Sequence, residues 1–373
     1  MRKSTVMKIM IVAAADSIHT IRWSNAFADR GHDVHLVSLP DHRVHGDKLD
    51  ERVTLHYLKH AGGKGYILNA VQIRKLVKAI RPAVINVHYA SGYGTLVSLA
   101  HVHPSVLSVW GSDVYEFPRK SELNRLLVNY NLRSADALAS TSHAMAEQVR
   151  RVMRKPAQDI TVTPFGVNLD LFTPTGKVHD KAEDTFLFGT IKTLAPIYGI
   201  DYIIRAFQLF LQKWNQLDNA KKPHLFICGR GDKTDYEKLS EELGIAEYVT
   251  IENYIPNEQV PEYLRSMDAV CLGSLEESFG VAAVEAMACG VPVIATDADG
   301  FKEVIVDNET GFIVPRKDIY AMAEKMWQLY ENKNLRVSMG EKGRAHVCKH
   351  YNWSQNVDNL LNLLLCMGKK ETK

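Results

Sequence analysis

The residues best placed to do chemistry lie in one segment, LEESFGVAAVEAMACGVPVIATDADGFKEVI, residues 275–305. A strand is expected to end near Gly273. A short polar loop follows with Glu276, Glu277, Ser278, Phe279 and Gly280, and a helix begins near Val281. The N–H groups of a first helical turn have no intrahelical partners, and the helix dipole favours an anion there. Glu285 falls about one turn inside, among small apolar residues. That suits a carboxylate that accepts hydrogen bonds from a vicinal diol such as a ribose. Glu277, in the loop, would meet the hydroxyls of a second ring. A plain helix start, capped by Ser278 or Glu277 with Glu285 partly exposed, uses the same residues.

Short apolar runs alternating with amphipathic stretches must position this loop. KIMIVAAA (8–15), DVHLVSL (33–39), AVINVHY (83–89), VLSVW (106–110), ALAST (137–141) and ITVTPF (160–165) read as strands, with helices over 18–30 and 66–81. Residues 167–185 are polar, punctuated by Pro174 and Gly176, and read as a linker. The rhythm resumes with strands at 186–191, 224–229, 248–254, 269–273, 292–296 and 311–315. Helices are expected at 200–214, 235–243, 281–289, 318–331, 333–349 and 353–368. Such a rhythm implies parallel sheets covered on both faces. The 373 residues exceed the ~250–300 at which single cores stop growing. The expected architecture is α/β, two Rossmann-like doubly wound domains facing a cleft. An N-terminal acceptor-side domain takes 1–175 and a C-terminal nucleotide-sugar-binding domain 176–352, with a last helix over 353–373 returning to the first. Ligands of such sheets sit beyond the carboxyl ends of the strands.

The formal net charge of +2 excludes a strongly basic nucleic-acid binder, but it is unevenly spread. Residues 1–175 hold 22 of the 45 Lys and Arg but 14 of the 43 Asp and Glu, a surplus of eight positive charges; the remainder has an excess of six negative ones. A basic face on the first half would suit an anionic membrane or acceptor. Its candidates are Arg74, Lys75 and Lys78, and Arg150, Arg151, Arg154 and Lys155. Solvated helix faces would look the same. The five cysteines have no metal-ligand spacing, and four lie in apolar surroundings, as reduced thiols of a cytoplasmic protein would. The first apolar run reads as a buried strand rather than a signal peptide, and no run reaches the ~18–20 residues of a membrane span.

E-S-F-G, four residues, then E-A-M-A-C-G-V-P-V-I resembles the signature of the large retaining glycosyltransferase family with the GT-B fold, often called family 4. GTIKTLAPIYGIDYIIRAF (189–207), FICGRGDKTDYEKLSEELGI (226–245), VTIENYIPNEQVPEYLRSMDAVCLGS (249–274) and DGFKEVIVDNETGFIVP (299–315) extend the likeness, and RGHDVHLVS (30–38) and VTPFGVNLDLFTP (162–174) carry it into the first half. The resemblance implies that Glu277 binds the donor sugar, and that the N–H groups of Ser278, Phe279, Gly280 and Val281 approach sugar and phosphates. It implies that Glu285 binds the ribose and that the backbone at Tyr254 and Ile255 flanks the base. The nucleotide-sugar is then a substrate, with no cofactor and no metal.

Several strings depart from the family. Its usual Arg and Lys for the diphosphate are replaced by Thr193 and Tyr198, which leaves Lys192 as the cation of that loop, with Arg230 as a second source. The first loop, AAADSIHTIRW (13–23), lacks glycine, so Ala14 to Ser17 would have to approach phosphate without it. His19, Ser17 and Arg22 become polar candidates there. Trp110 stands where a histidine is frequent, which brings forward Asp113; His88, at a strand's carboxyl end, would face the acceptor. DAD (297–299), RGD (230–232) and the pairs His42/His45 and His101/His103 carry no metal or adhesion chemistry in these contexts.

The implied reaction is transfer of a sugar to a hydroxyl of a saccharide or lipid-linked saccharide. No carboxylate nucleophile of the glycosidase kind is evident, so same-face attack fits. Two other readings use the same architecture: a sugar-nucleotide epimerase, and a non-catalytic sugar-binding relative.

Overall fold

The computed structural model describes residues 6–44, 48–154, 159–217 and 221–370. The chain forms two compact units, Met1–Pro164 with Ser354–Lys373, and Phe165–Trp353. The break thus precedes the expected 175/176 boundary, for a physical reason. Val167 bridges to Asn352, its N–H donates to the Tyr351 carbonyl at 2.8 Å, and Phe165 packs edge-on against Phe279. The Arg344 guanidinium also holds the carbonyls of Phe172 and Ala288. The polar stretch before Gly176 is therefore already fastened to the second unit.

In the first unit β1 (Lys8–Val12), α1 (Ile18–Asp29), β2 (Asp33–Ser38), β3 (Thr54–Tyr57), α2 (Gly62–Leu68), α3 (Ala70–Ile80), β4 (Val84–His88), α4 (Gly92–Ala100), β5 (Ser105–Val109), α5 (Glu122–Ser134), β6 (Ala137–Ser140), α6 (His143–Met153) and β7 (Ile160–Val162) follow in order. The sheet is parallel, ordered β3-β2-β1-β4-β5-β6-β7, so the strand order reverses beside β1. Ile9 to Val12 are fully buried, which is why β1 reads as an unbroken apolar run. The helix expected over 66–81 is two helices. Asn69 stands at their junction, and its buried amide both accepts from the His60 N–H and donates to the His60 carbonyl. Edge strand β3, a half-exposed Thr-Leu-His-Tyr, was not expected; it is too short and polar to stand out.

The second unit runs β8 (Thr185–Ile191), α7 (Ile200–Trp214), β9 (Lys222–Cys228), α8 (Thr234–Glu242), β10 (Val249–Glu252), α9 (Val260–Ser266), β11 (Ala269–Leu272), α10 (Val281–Ala288), β12 (Val293–Thr296), α11 (Asp299–Val304), β13 (Gly311–Val314), α12 (Ile319–Glu331) and α13 (Lys333–His350). Its parallel sheet is ordered β10-β9-β8-β11-β12-β13. Phe186, Phe188, Phe207, Phe210 and Trp327 pack the layer between this sheet, α7 and α12. The last helix, α14 (Trp353–Lys370), belongs mostly to the first unit, where Arg30, just after α1, binds Asp358 and the Ser354 carbonyl. Among the described residues no helix is long and apolar enough to cross a membrane. Cys228, Cys271 and Cys289 are buried, Cys348 is half-buried and Cys366 is exposed.

Candidate functional site

In the second unit the loops after β8, β9, β10 and β11 converge at the carboxyl edge of the sheet. Close backbone approach makes this possible. Gly229 follows β9 so tightly that a Cβ there would lie 1.7 Å from the Lys192 carbonyl oxygen. The Lys192 N–H in turn donates to the Cys228 carbonyl at 2.9 Å. Lys192 is thus held by backbone on both sides. Its ammonium lies 2.6 Å from a Glu277 carboxylate oxygen and 4.6 Å from the centre of the Tyr198 ring. Both members of the pair are nearly buried, with side chains 16% and 11% exposed. Burial works against the lysine charge, but Glu277 more than offsets it, with smaller help from Tyr198 and Glu285, and the pKa is held above its ordinary value. The residue expected to grip phosphate and the one expected to grip sugar therefore hold each other. Tyr198, which takes the place of a family lysine, supplies a π face to the lysine that remains.

Gly280, with φ +101°, is the N-cap of α10, a backbone state that a side chain would strain. The N-cap itself has no side chain, and the Ala283 and Val284 N–H groups turn back to the Gly280 carbonyl. The N–H groups of Val281 and Ala282 have no earlier helical carbonyl to bond, so this end suits an anion. The Phe279 side chain does not line the loop. It is 1% exposed and packs edge-on against Phe165 and Tyr351, so only its backbone could meet a ligand. Ile255 is similarly buried. Tyr254 is 46% exposed, with the Arg230 guanidinium 4.2 Å from its ring centre. Arg230 is therefore stacked beside the base-side residue rather than paired with Glu277.

The carboxyl edge of the first unit is built differently. Asp113 is 1% exposed. One carboxylate oxygen accepts the Ala90 N–H at 2.7 Å, and the other accepts those of Gly111 at 2.8 Å and Trp110 at 3.3 Å. Burial pushes its pKa up against these three donors. It latches the loop after β4 to the loop after β5. His88, expected to face the acceptor, is a buried residue. It ends a strand covered on both faces, is 1% exposed, and lies 3.4 Å from the Thr20 hydroxyl, 3.2 Å from the Asn86 amide and 4.2 Å, ring to ring, from Trp110. Burial and the neighbouring His19 hold its pKa at about 3. His19 meets the edge of Trp110 at 5.7 Å, and burial with the nearby Arg22 brings its pKa to about 4. Both imidazoles are therefore neutral at pH 7.

The glycine-free first loop has also committed part of its backbone. The Ala15 N–H donates to the Ser38 hydroxyl at 3.0 Å and the Ser17 N–H to the Ala14 carbonyl at 3.3 Å, so these two are not available to phosphate. Ser17 is the N-cap of α1 without a side-chain cap bond. Two residues went unnoticed in the sequence. Tyr89 follows His88 with φ +73°, a strained state for an aromatic residue, and meets Trp110 edge-on at 5.5 Å. The Tyr93 hydroxyl joins Ser38, the Leu39 N–H and His42 Nδ1, the last at 2.7 Å. An aromatic residue at a strand's carboxyl end was the available signal for Tyr89; its backbone state was not readable.

Comparison with known proteins agrees with this layout. Residues 174–346 match the family described as Glycosyl transferases group 1, and residues 8–142 match Glycosyl transferase 4-like. D-inositol 3-phosphate glycosyltransferase of Stackebrandtia nassauensis is 28% identical over 238 residues, 61% of this chain and 53% of that protein. The chain thus spans about half the length of that relative. Sucrose-phosphate synthase from Thermosynechococcus elongatus superposes with a TM-score of 0.82 at 19% identity, over 96% of this chain and 98% of that one. HepE of Anabaena, solved in complex with UDP and glucose, gives 0.75 at 17% identity, over 96% and 100%. At such identities the superpositions speak to the fold, which is GT-B. With a glycosyltransferase family matched in each half, the chain belongs to the group 1, family-4-like glycosyltransferases.

Proposed function

We propose that the chain transfers a hexose, with retention of configuration, from a nucleotide-sugar to a hydroxyl of a saccharide or lipid-linked saccharide, in the synthesis of a cell-surface polysaccharide or glycolipid. The observation that carries this reading is the nearly buried Lys192–Glu277 pair in the same unit as the glycine-capped N-terminus of α10, with Glu285 one turn inside that helix. In the reaction the bond from the anomeric carbon to the diphosphate oxygen breaks as the acceptor oxygen bonds to the same face of that carbon. The acceptor's proton passes to the leaving phosphate. Negative charge grows on the diphosphate, and Lys192 with the α10 N–H groups stabilises it more strongly as the bond breaks. These groups supply the charge without a metal or cofactor. Glu285 receives the ribose hydroxyls and Glu277 those of the sugar. The UDP and glucose bound in the HepE complex support a nucleoside diphosphate donor. His19, Ser17, Arg22 and Tyr89 serve the acceptor side.

A thermal-shift screen of nucleotide-sugars tests the donor, since a ligand of the folded state raises the melting temperature. Slow release of sugar and nucleoside diphosphate from the stabilising donor should follow. A donor that binds but is never split would overturn the reading in favour of a sugar-binding relative. Interconversion of the donor's own sugar would favour an epimerase.

The acceptor reading includes peripheral contact with an anionic membrane on the cytoplasmic side. Lys64, Lys75 and Lys78 are exposed on α2 and α3 beside exposed Ile67, Leu68 and Val71. Basic residues near such a surface contribute about 1 kcal/mol each. Arg74 is partly spent on the carbonyls of Leu99 and Ala100, and Arg150 pairs with Glu147. Arg151 and Arg154 are exposed, and Lys155 lies outside the described residues. Sedimentation with anionic liposomes should fall with salt and with Gln at Lys75 and Lys78. No binding at low salt would point to a soluble acceptor.

A further inference from the structure

The loop that carries Glu277 is fastened to the loops after β12 and β13. The Thr296 hydroxyl donates to the Ser274 carbonyl at 2.5 Å, and the Gly300 N–H donates to the Glu277 carbonyl at 2.9 Å. A Cβ at Gly300 would lie 2.5 Å from the Phe279 nitrogen, so the two backbones are in direct contact. Between these fastenings the Leu275 carbonyl accepts from Nη1 of Arg316 at 3.1 Å. The Leu275 N–H donates to the Ile197 carbonyl at 2.8 Å, one residue before Tyr198.

Arg316 is itself aimed. A single Asp297 oxygen, Oδ1, accepts its backbone N–H at 3.0 Å and its Nε–H at 2.9 Å, which sets the guanidinium plane and leaves Nη1 for Leu275. The Asp297 N–H is anchored in turn on the Val314 carbonyl at 2.8 Å. One side chain thus ties together the loops after β11, β12 and β13. The two partners are each 40% exposed, and an ion pair that open adds little to stability. A charge-assisted bond to a loop carbonyl still sets where that loop sits. The DAD string is accounted for in the same way: Asp297 pairs with Arg316, and Asp299 with Lys302 at 3.1 Å.

We propose that Arg316 and Asp297 are positioning residues for the donor sugar. Together they hold the backbone from Leu275 to Glu277, so that the Glu277 carboxylate stays beside Lys192 and meets the sugar hydroxyls; this takes Glu277 as the sugar contact of the proposed reaction. Both act through Glu277. A misplacement of about 1 Å at a group that orients a substrate can cost about a hundredfold in rate. The loss of one fastening among several should cost less, about tenfold.

Two measurements on the full chain separate the brace from the reaction. Hydrogen exchange at the Leu275 and Gly300 amides, which close the loop, needs no substrate. Arg316→Ala and Asp297→Ala should each speed it about tenfold with little change in melting temperature. Asp297→Asn, which keeps the Oδ1 acceptor, should exchange like the wild type. Release of nucleoside diphosphate from the donor that the thermal-shift screen selects gives the second readout. Either Ala variant should lower kcat about tenfold and leave the dissociation constant of free nucleoside diphosphate, which has no sugar, within about twofold. Asp297→Asn should keep its turnover, and the double Ala variant should lose no more than either single one. Unchanged exchange in both Ala variants would overturn the brace. Faster exchange with normal turnover, or equal losses of turnover and nucleoside diphosphate binding, would overturn the positioning of Glu277. A wild type that splits no donor defeats the reaction and the sugar contact with it, while exchange still decides whether the pair braces the loop.

Discussion

The two carboxyl edges are made of different materials. In the second unit the edge is mostly backbone. Gly229 lets one loop lie against another, Gly280 turns the chain into α10, and the Lys192–Glu277 pair supplies nearly buried charge. In the first unit the edge is mostly side chain. Asp113, His88, Asn86, Thr20, Tyr93 and Ser38 bond to one another or to nearby backbone, and the loop after β1 has no glycine. A backbone-made edge presents the same N–H groups whatever the neighbouring side chains are. A side-chain-made edge changes its chemistry with every substitution. In the proposed reaction the first would suit the constant part of the donor and the second a variable acceptor.

Substitutions can break or sharpen this contrast. The largest effect should come from Gly229→Ala, whose methyl would overlap the Lys192 carbonyl. Overpacking of this kind costs about 1–3 kcal/mol, and here the backbone of the loop after β8 must move, so donor turnover should be lost with it. Ala15→Gly in the first unit should leave donor binding intact. A Gly229→Ala protein with normal turnover would mean that the close approach is not needed.

Next in size is Lys192→Ala, which should lower turnover more than tenfold, since charge-assisted bonds are worth about 1.5–3 kcal/mol. The loss should exceed that of Arg230→Ala, whose guanidinium is stacked on Tyr254. Glu277→Ala should reduce turnover more than nucleoside diphosphate binding. Because the two residues touch, the double variant should lose less than the sum of the single losses. Additive losses in a double-mutant cycle would show that the pair does not act as one unit.

Glu285→Ala should weaken nucleoside diphosphate binding by about 1–3 kcal/mol through the lost ribose bonds. An unchanged dissociation constant by calorimetry would remove it from that role.

The smallest effect belongs to the first unit and appears as a pH dependence. His19 and His88 are brought from an ordinary 6.5 to about 4 and about 3. Their contribution is complete above pH 6.5. It is lost as pH falls towards 4, because the unfolded chain then takes up protons that the folded one refuses. Asp113, with its raised pKa, acts in the opposite sense, and does so alike in the wild type and in a His88 variant. The melting temperature should therefore drop between pH 7 and 5, and less steeply in His88→Gln. Equal slopes in the two proteins would show that His88 titrates normally.

The same contrast explains what could be read beforehand. The α10 loop was readable because its backbone conformation demands glycine at 280 and tight packing demands small residues after it. The two sheets were readable because buried parallel strands leave unbroken apolar runs such as Ile9 to Val12. The burial of His88, the latch at Asp113 and the strained Tyr89 were not, because each depends on partners 20 or more residues away in sequence, or on a backbone angle that residue type does not reveal. The unit boundary was misplaced because Pro174 and Gly176 look like a linker. The contacts that fasten the chain there, through Val167 and Arg344, reach nearly to the end of the unit.

Helix α14 gives the chain an order of assembly. The first unit comprises Met1–Pro164 and Ser354–Lys373, with all of Phe165–Trp353 made in between. At about 5–20 residues per second, the ribosome needs roughly 10–40 s to cross that interval. For that time the face of the first unit that receives Asp358 and packs Gly368 against Ala83 stays uncovered. The first unit to emerge is therefore the last to be finished. A chain stopped before Ser354 would leave it open to capture by chaperones or proteases, even though its whole sheet has been synthesised.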